Sequence, residues 1–202
     1  MDDDYQLIAA NFQEVITTVA MAVDDLAAPI QRAAAAMTNT LLAEGKIMTC
    51  GNGADASLSQ LLTATLLGCF EQDRPALPAI TLAGDSSSIT GIASQQGFND
   101  IYARQIRALG QPGDTLVCIS SGTVPGSVVR AVQAAHDRNM AVVALSNTAD
   151  PSLAELLRGG DVAINCSAGR RPRVTELHTM VIHLLCELID HSLFGNHNGS
   201  ST

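Results

Sequence analysis

Residues 46–70 read K-I-M-T-C-G-N-G-A-D-A-S-L-S-Q-L-L-T-A-T-L-L-G-C-F. Ile47 to Cys50 is a short apolar run with the length and flanks of a buried strand. Gly51-Asn52-Gly53 follows, where glycine permits a sharp turn and close approach of a ligand to the backbone. From Ala54 to Leu67 small and apolar residues alternate at helical spacing. A strand, a glycine turn and a helix N-terminus together form a ready anion site, because unpaired N–H groups and the helix dipole face outward there. The same stretch also serves as a plain strand-to-helix turn that binds nothing.

Working outward, the unit repeats. Leu77 to Leu82 reads as a second strand and ends in Gly84-Asp85-Ser86-Ser87-Ser88. Thr115 to Ile119 is a third, ending in Ser120-Ser121-Gly122-Thr123-Val124-Pro125, with a helix from Ser127 to Arg138. Ala141 to Leu145 and Asp161 to Asn165 are the fourth and fifth. Small polar residues after a strand are helix caps in the plain case and ligand loops in the other. Helices are expected over 87–94, 99–109, 153–157 and 174–193, and Gly169 to Arg173 reads as a basic, loop-like link. Strands alternating with helices predict an α/β fold, an open, doubly wound parallel five-stranded sheet. Ligands of such sheets sit beyond the carboxyl ends of the strands, where these loops converge. The candidate ligand-binding residues are Gly51, Asn52, Gly53, Asp55, Asp85, Ser86, Ser120, Ser121 and Thr123.

Ahead of the sheet, residues 1–44 read as a helical pair. Ile8, Phe12, Val15, Ile16 and Val19 fall at helical spacing, and a second helix runs to Leu42 with Pro29 in its first turn. Such a pair either packs in a subunit interface or caps the sheet of its own domain. The sheet domain is expected over 45–194 and a disordered tail over 195–202.

Composition narrows the function. The chain has 202 residues, 47% of them hydrophobic but only 3% aromatic, with no Trp. Its core is therefore aliphatic, which suits helices on a parallel sheet. A net charge of −9 argues against a broad cationic surface for nucleic acid. Met1-Asp-Asp-Asp is the opposite of a basic signal-peptide start and no unbroken apolar run reaches about 18 residues, so a cytoplasmic protein without a membrane partner is expected. Five cysteines without C-x-x-C spacing read as reduced core residues. Gly51-x-Gly53-x-x-Ala56 also fits a dinucleotide fingerprint, but the acidic residue at the required offset, Glu71, precedes the second strand instead of ending it.

G-N-G at 51–53, E-Q-D-R-P-A-L-P-A-I-T-L at 71–82, G-D-S-S-S-I-T-G-I-A at 84–93, Y-A-R-Q-I-R-A-L-G-Q-P-G-D-T-L at 102–116 and E-L-H-T-M-V-I-H-L-L-C-E-L-I-D at 176–190 resemble the sugar isomerase (SIS) domain. The resemblance covers nearly the whole chain. It is nearest to the phosphoheptose isomerase branch and to the DnaA initiator-associating protein DiaA, whose ending L-I-D-H-S-L-F at 188–194 resembles. It implies a flavodoxin-like sheet and a homotetramer with pockets near subunit interfaces. In the isomerases it implies an enediol route needing an acid, a base and a nearby zinc ion. Here the family's metal-ligand histidine is Leu61, its catalytic glutamate Thr65 and its metal-ligand glutamine Thr175, while its last histidine survives as His183. Asp55 replaces a phosphate-contacting serine, and either repels phosphate or caps the helix itself. Asn52 and Asp85, which touch sugar in the family, are kept.

Three functions compete on these residues. The first is a non-catalytic, DiaA-like homotetrameric scaffold or regulator binding DnaA, with no cofactor and no metal. The second is a sedoheptulose 7-phosphate isomerase using substitute groups such as His183, His178 and Glu176, with zinc as its cofactor. The third is a module sensing a sugar or sugar phosphate. His183 is the single candidate catalytic residue, and a hydrogen-bonded histidine in a helix interface is its plain alternative.

Overall fold

β1 (Ile47–Gly51) and β3 (Thr115–Ile119) are buried at every position, the mark of strands covered on both faces. They form the middle of a five-stranded sheet with β2 (Ala79–Thr81), β4 (Ala141–Asn147) and β5 (Val162–Cys166), in the order β2-β1-β3-β4-β5, every pair parallel. The computed structural model describes residues 2–195. The expected tail lies, from residue 196 onward, outside the described residues.

Helices cover both faces. On one, α1 (Asp2–Leu42), α2 (Ala54–Leu67) and α7 (Arg171–Phe194) bury Leu26, Ile30, Met37, Leu62, Leu66 and Leu177 against Val117, Val143 and Ile164. On the other, α4 (Ala103–Leu109) and α5 (Gly126–Asp137) bury Ile106, Val128 and Val132 against Met48, Leu116 and Val142. α3 (Ser86–Gln96) and the short α6 (Ser152–Glu155) complete the chain. Strand residues alternate between the two cores, as the period-2 geometry of a strand requires.

The strand order reverses between β1 and β3, and their register pairs Gly51 with Ile119. The two exit loops therefore leave the sheet side by side, and the switch-point crevice opens between them.

The helical pair is corrected: residues 2–42 form one helix with Pro29 inside it. Proline removes the N–H that would bond the Asp25 carbonyl. Asp25 is exposed, so water can satisfy that carbonyl, while Ala22, Leu26, Ile30, Ala33 and Met37 keep one buried stripe running past the proline. The helix expected over 99–109 splits into a 3-10 turn, Phe98–Asp100, and α4. α7 begins at Arg171 instead of Val174, because Pro172 suits a helix's first turn, where its missing N–H costs nothing. Four cysteines are buried and Cys69 is exposed; all five are free. No apolar run of about 18 residues is unbroken, but the helix over Asp3–Leu42 contains an 18-residue window with mean hydropathy 1.2, long and apolar enough by length and composition alone to cross a membrane.

Candidate functional site

The crevice holds a cavity of about 580 Å3 lined by Asn52, Gly53, Asp55, Gly122, Thr123, Pro125 and Arg171. Each comes from the start of a helix or the exit of β1 or β3. Gly51 is required where it stands, since a Cβ there would meet the Asp55 carbonyl oxygen at 2.5 Å. Gly53 has φ +61°, a conformation glycine adopts without strain.

The start of α2 is not the open fan of donors that its glycine turn suggested. Asp55 N–H donates to the Asn52 carbonyl (3.2 Å) and Ala56 N–H to the Gly53 carbonyl (3.0 Å). Nor does Asp55 cap its own helix, whose N-cap makes no side-chain hydrogen bond. Its carboxylate reaches across the crevice, where Oδ2 accepts from Ser121 N–H at 3.1 Å. Arg171 approaches the same oxygen at 3.6 Å and donates from Nε to Ser121 Oγ at 3.0 Å. Asp55 is only 4% exposed, and its Oδ1 has no hydrogen-bond partner.

Asn52 is tied to the protein: its amide donates to Ser127 Oγ at 2.9 Å and its Oδ1 accepts from Tyr102 Oη at 2.9 Å. The Gly51 carbonyl lies closer still to Tyr102 Oη, so the single hydroxyl proton is shared between the two oxygens. Burial pushes the Tyr102 hydroxyl well above its ordinary pKa, so it stays a donor. The β3 exit loop is braced from β4, since Asn147 donates to the Gly122 carbonyl (2.9 Å) and Asp150 accepts from Val124 N–H (2.9 Å). Its hydrogen bond from Ser152 Oγ, followed by those from the Val124 and Ser152 amides, holds the Asp150 carboxyl below the usual range.

His178 lies beneath this loop system, wholly buried, with Nε2 3.0 Å from the Ser146 carbonyl. A carbonyl only accepts, so Nε2 carries the proton and Nδ1 is a bare acceptor with no partner. Desolvation lowers the pKa of His178, opposed by the Ser146 hydrogen bond and the charge of Asp55.

The structure gathers Asn52, Gly53, Asp55 and Thr123 around the cavity, with Ser121 at its wall. Gly51 and Ser120 are buried behind it, Ser120 Oγ donating to the Gly122 carbonyl at 3.3 Å. Asp85 and Ser86 stand apart at the start of α3. There Asp85 accepts from Ser87 N–H (2.9 Å) and Ser88 Oγ (2.5 Å), chiefly the latter lowering its pKa. His183 is twelve residues along α7 from Arg171, about 18 Å at the helical rise. It is exposed and lies with its ring 5.8 Å from that of Phe70. Arg171 is the residue that the sequence reading missed. It stood in a supposed basic loop, and the proline one position later was the sign of a helix start.

The zinc that the family resemblance implies does not fit the residues present. Leu61 has no donor atom. The hydroxyls of Thr65 and Thr175 donate to the carbonyls of Leu61 (2.9 Å) and Arg171 (3.2 Å), which leaves one imidazole for a metal that takes four strong ligands. Among the described residues no group of three or more His, Cys, Asp or Glu is placed to hold a metal ion.

The sequence profile of the SIS domain matches residues 11–147. A phosphoheptose isomerase of Alkalilimnicola ehrlichii is 45% identical over 188 residues, covering 93% of this chain and 96% of that protein. One of Chromohalobacter salexigens is 43% identical over 189 residues, covering 94% and 96%. The structure of phosphoheptose isomerase from Neisseria gonorrhoeae superposes with a TM-score of 0.87 at 36% identity, covering 92% of this chain and 98% of that one.

Proposed function

The chain belongs to the SIS domain family, on its phosphoheptose isomerase branch, and from that premise we propose that it keeps the fold as a non-catalytic, self-assembling binding protein. The observation that carries this reading is the chemistry of the α2–α7 side chains at 61, 65, 175 and 183. Proton transfer between adjacent sugar carbons needs a base that titrates near neutral pH, close to the sugar. Thr65 does not ionise in that range, its hydroxyl is tied to its own helix, and His183 lies against Phe70.

Self-assembly is supported by α1. Tyr5, Ile8, Phe12 and Ile16 follow one another at three- and four-residue spacing, Val23 lies seven residues further on, and all are more than half exposed. A second copy of the helix covers such a stripe, and a tetramer is the expected state by sedimentation. The resemblance to DiaA makes the initiator DnaA the first partner to test, in the cytoplasm and without direct contact to nucleic acid. A purified oligomer that fails to retain DnaA removes that partner and leaves the scaffold.

The second reading is a sedoheptulose 7-phosphate isomerase with substituted groups. It is favoured by the names of relatives 40–45% identical across more than nine-tenths of the chain. One experiment separates the two: an isomerase assay on sedoheptulose 7-phosphate with added zinc, and bound metal determined on the same sample. No turnover and no retained metal are expected. Turnover that disappears in His183→Ala would establish the isomerase instead.

A further inference from the structure

We propose that Asp55 is the resident anion of the crevice, a specificity-determining residue that closes this mouth to phosphorylated ligands. The inference rests on the family placement, but not on the loss of catalysis. Two features would otherwise welcome a free anion: the Ser121 N–H and the Arg171 guanidinium. Both are already turned on the Asp55 carboxylate, at 3.1 Å for the amide and 3.6 Å for the guanidinium. Arg171 is itself in the first turn of a helix, where the dipole disfavours a cation. The carboxylate opposite therefore stabilises it. The guanidinium is also pinned by Ser121 Oγ and lies across Gly122, where a Cβ would stand 3.4 Å from Arg171 Nε.

The Asp55 carboxylate is more than nine-tenths buried in the wall of the cavity, and its second oxygen, Oδ1, is shielded from solvent and has no hydrogen-bond partner. A phosphate oxygen brought to the Ser121 N–H and Arg171 adds a second negative charge within a few ångströms, which the low local dielectric penalises.

The test uses the full-length protein and inorganic phosphate as the probe, read by thermal shift and calorimetry at constant ionic strength. Asp55→Ser removes the carboxylate, and Asp55→Asn keeps its shape in case the serine variant folds poorly. The wild type is expected to show no saturable phosphate binding. Either variant is expected to gain it, with affinity at least about tenfold above the wild type, the scale on which removing one nearby like charge acts. Adding Arg171→Met to the variant should abolish the gain. Saturable binding to the wild type that Arg171→Met removes would overturn the proposal, as would no gain in both Asp55 variants. Turnover of sedoheptulose 7-phosphate with phosphate binding untouched by Arg171→Met would sink only the non-catalytic reading. Phosphate held at the wild-type mouth without turnover would sink only this one.

Discussion

Replacing Arg74 tests what holds α2, and hence the mouth, in place. Arg74 sits in the loop after α2 with its side chain 3% exposed. Its Nε donates to Asp190 of α7 at 2.7 Å, while Nη1 and Nη2 donate to the carbonyls of Leu66 and Thr65 at 2.9 Å each. Longer bonds from Nη1 reach the carbonyls of Pro75 (3.1 Å) and Gly68 (3.3 Å). One cation thus closes the last turn of α2, where a positive charge also suits the dipole, and ties that end to α7. Arg74→Met fills the volume but leaves Asp190 and several helix-end carbonyls without partners. Removing one member of a buried, hydrogen-bonded ion pair costs about 3–5 kcal/mol. At roughly 2–4 °C per kcal/mol for a chain of this size, that is a fall in Tm of about 6–20 °C. Urea unfolding followed by circular dichroism, at one fixed protein concentration because any self-association would add its own stability, measures it. Arg74→Lys retains the charge beside Asp190 but cannot span the two helix carbonyls, and should recover less than half of the loss. A loss below about 1 kcal/mol in Arg74→Met, or a lysine variant as stable as the wild type, would show that water replaces these bonds at no cost and that the packing of Leu62 and Leu66 alone seats α2.

Pro29→Ala restores an N–H opposite the Asp25 carbonyl inside α1 and should raise stability by about 1 kcal/mol or more; an unchanged or lowered urea midpoint would mean that the proline sets a bend the packing needs. His178 gives a pH signature. Its folded pKa is depressed by burial below the ordinary value of 6.5, so between the two the unfolded chain binds the extra proton. Its contribution is complete above about pH 6.5 and is lost as pH falls toward the lower folded value. His178→Gln should therefore flatten the stability profile between about pH 7 and 5, and a parallel profile would show that other groups cause the acid loss.

Much of the fold was legible because it rests on local chemistry. Apolar runs of strand length at 47–50 and 115–119 have one stable use in a chain that alternates them with helices, and Gly51 and Gly53 mark the turn between β1 and α2. Asn52, Gly53, Asp55 and Thr123 were foreseeable as mouth residues, because a parallel sheet sends the ends of its strands to one side. The single helix across Pro29 was not foreseeable. Whether a helix survives a proline depends on which neighbours bury its other face, and those come from α7 and β5. The role of Asp55 was also undecided in the sequence, which allowed a cap, a repelling charge or a bare turn. Only folding brings the β3 exit loop and the first turn of α7 within reach of that carboxylate, 66 residues from Ser121 along the chain. Composition and period thus set the sheet and its open end, because they act over a few residues at a time. The state of charge in the mouth was decided by tertiary structure, because opposite charges attract across space without regard to their separation in sequence.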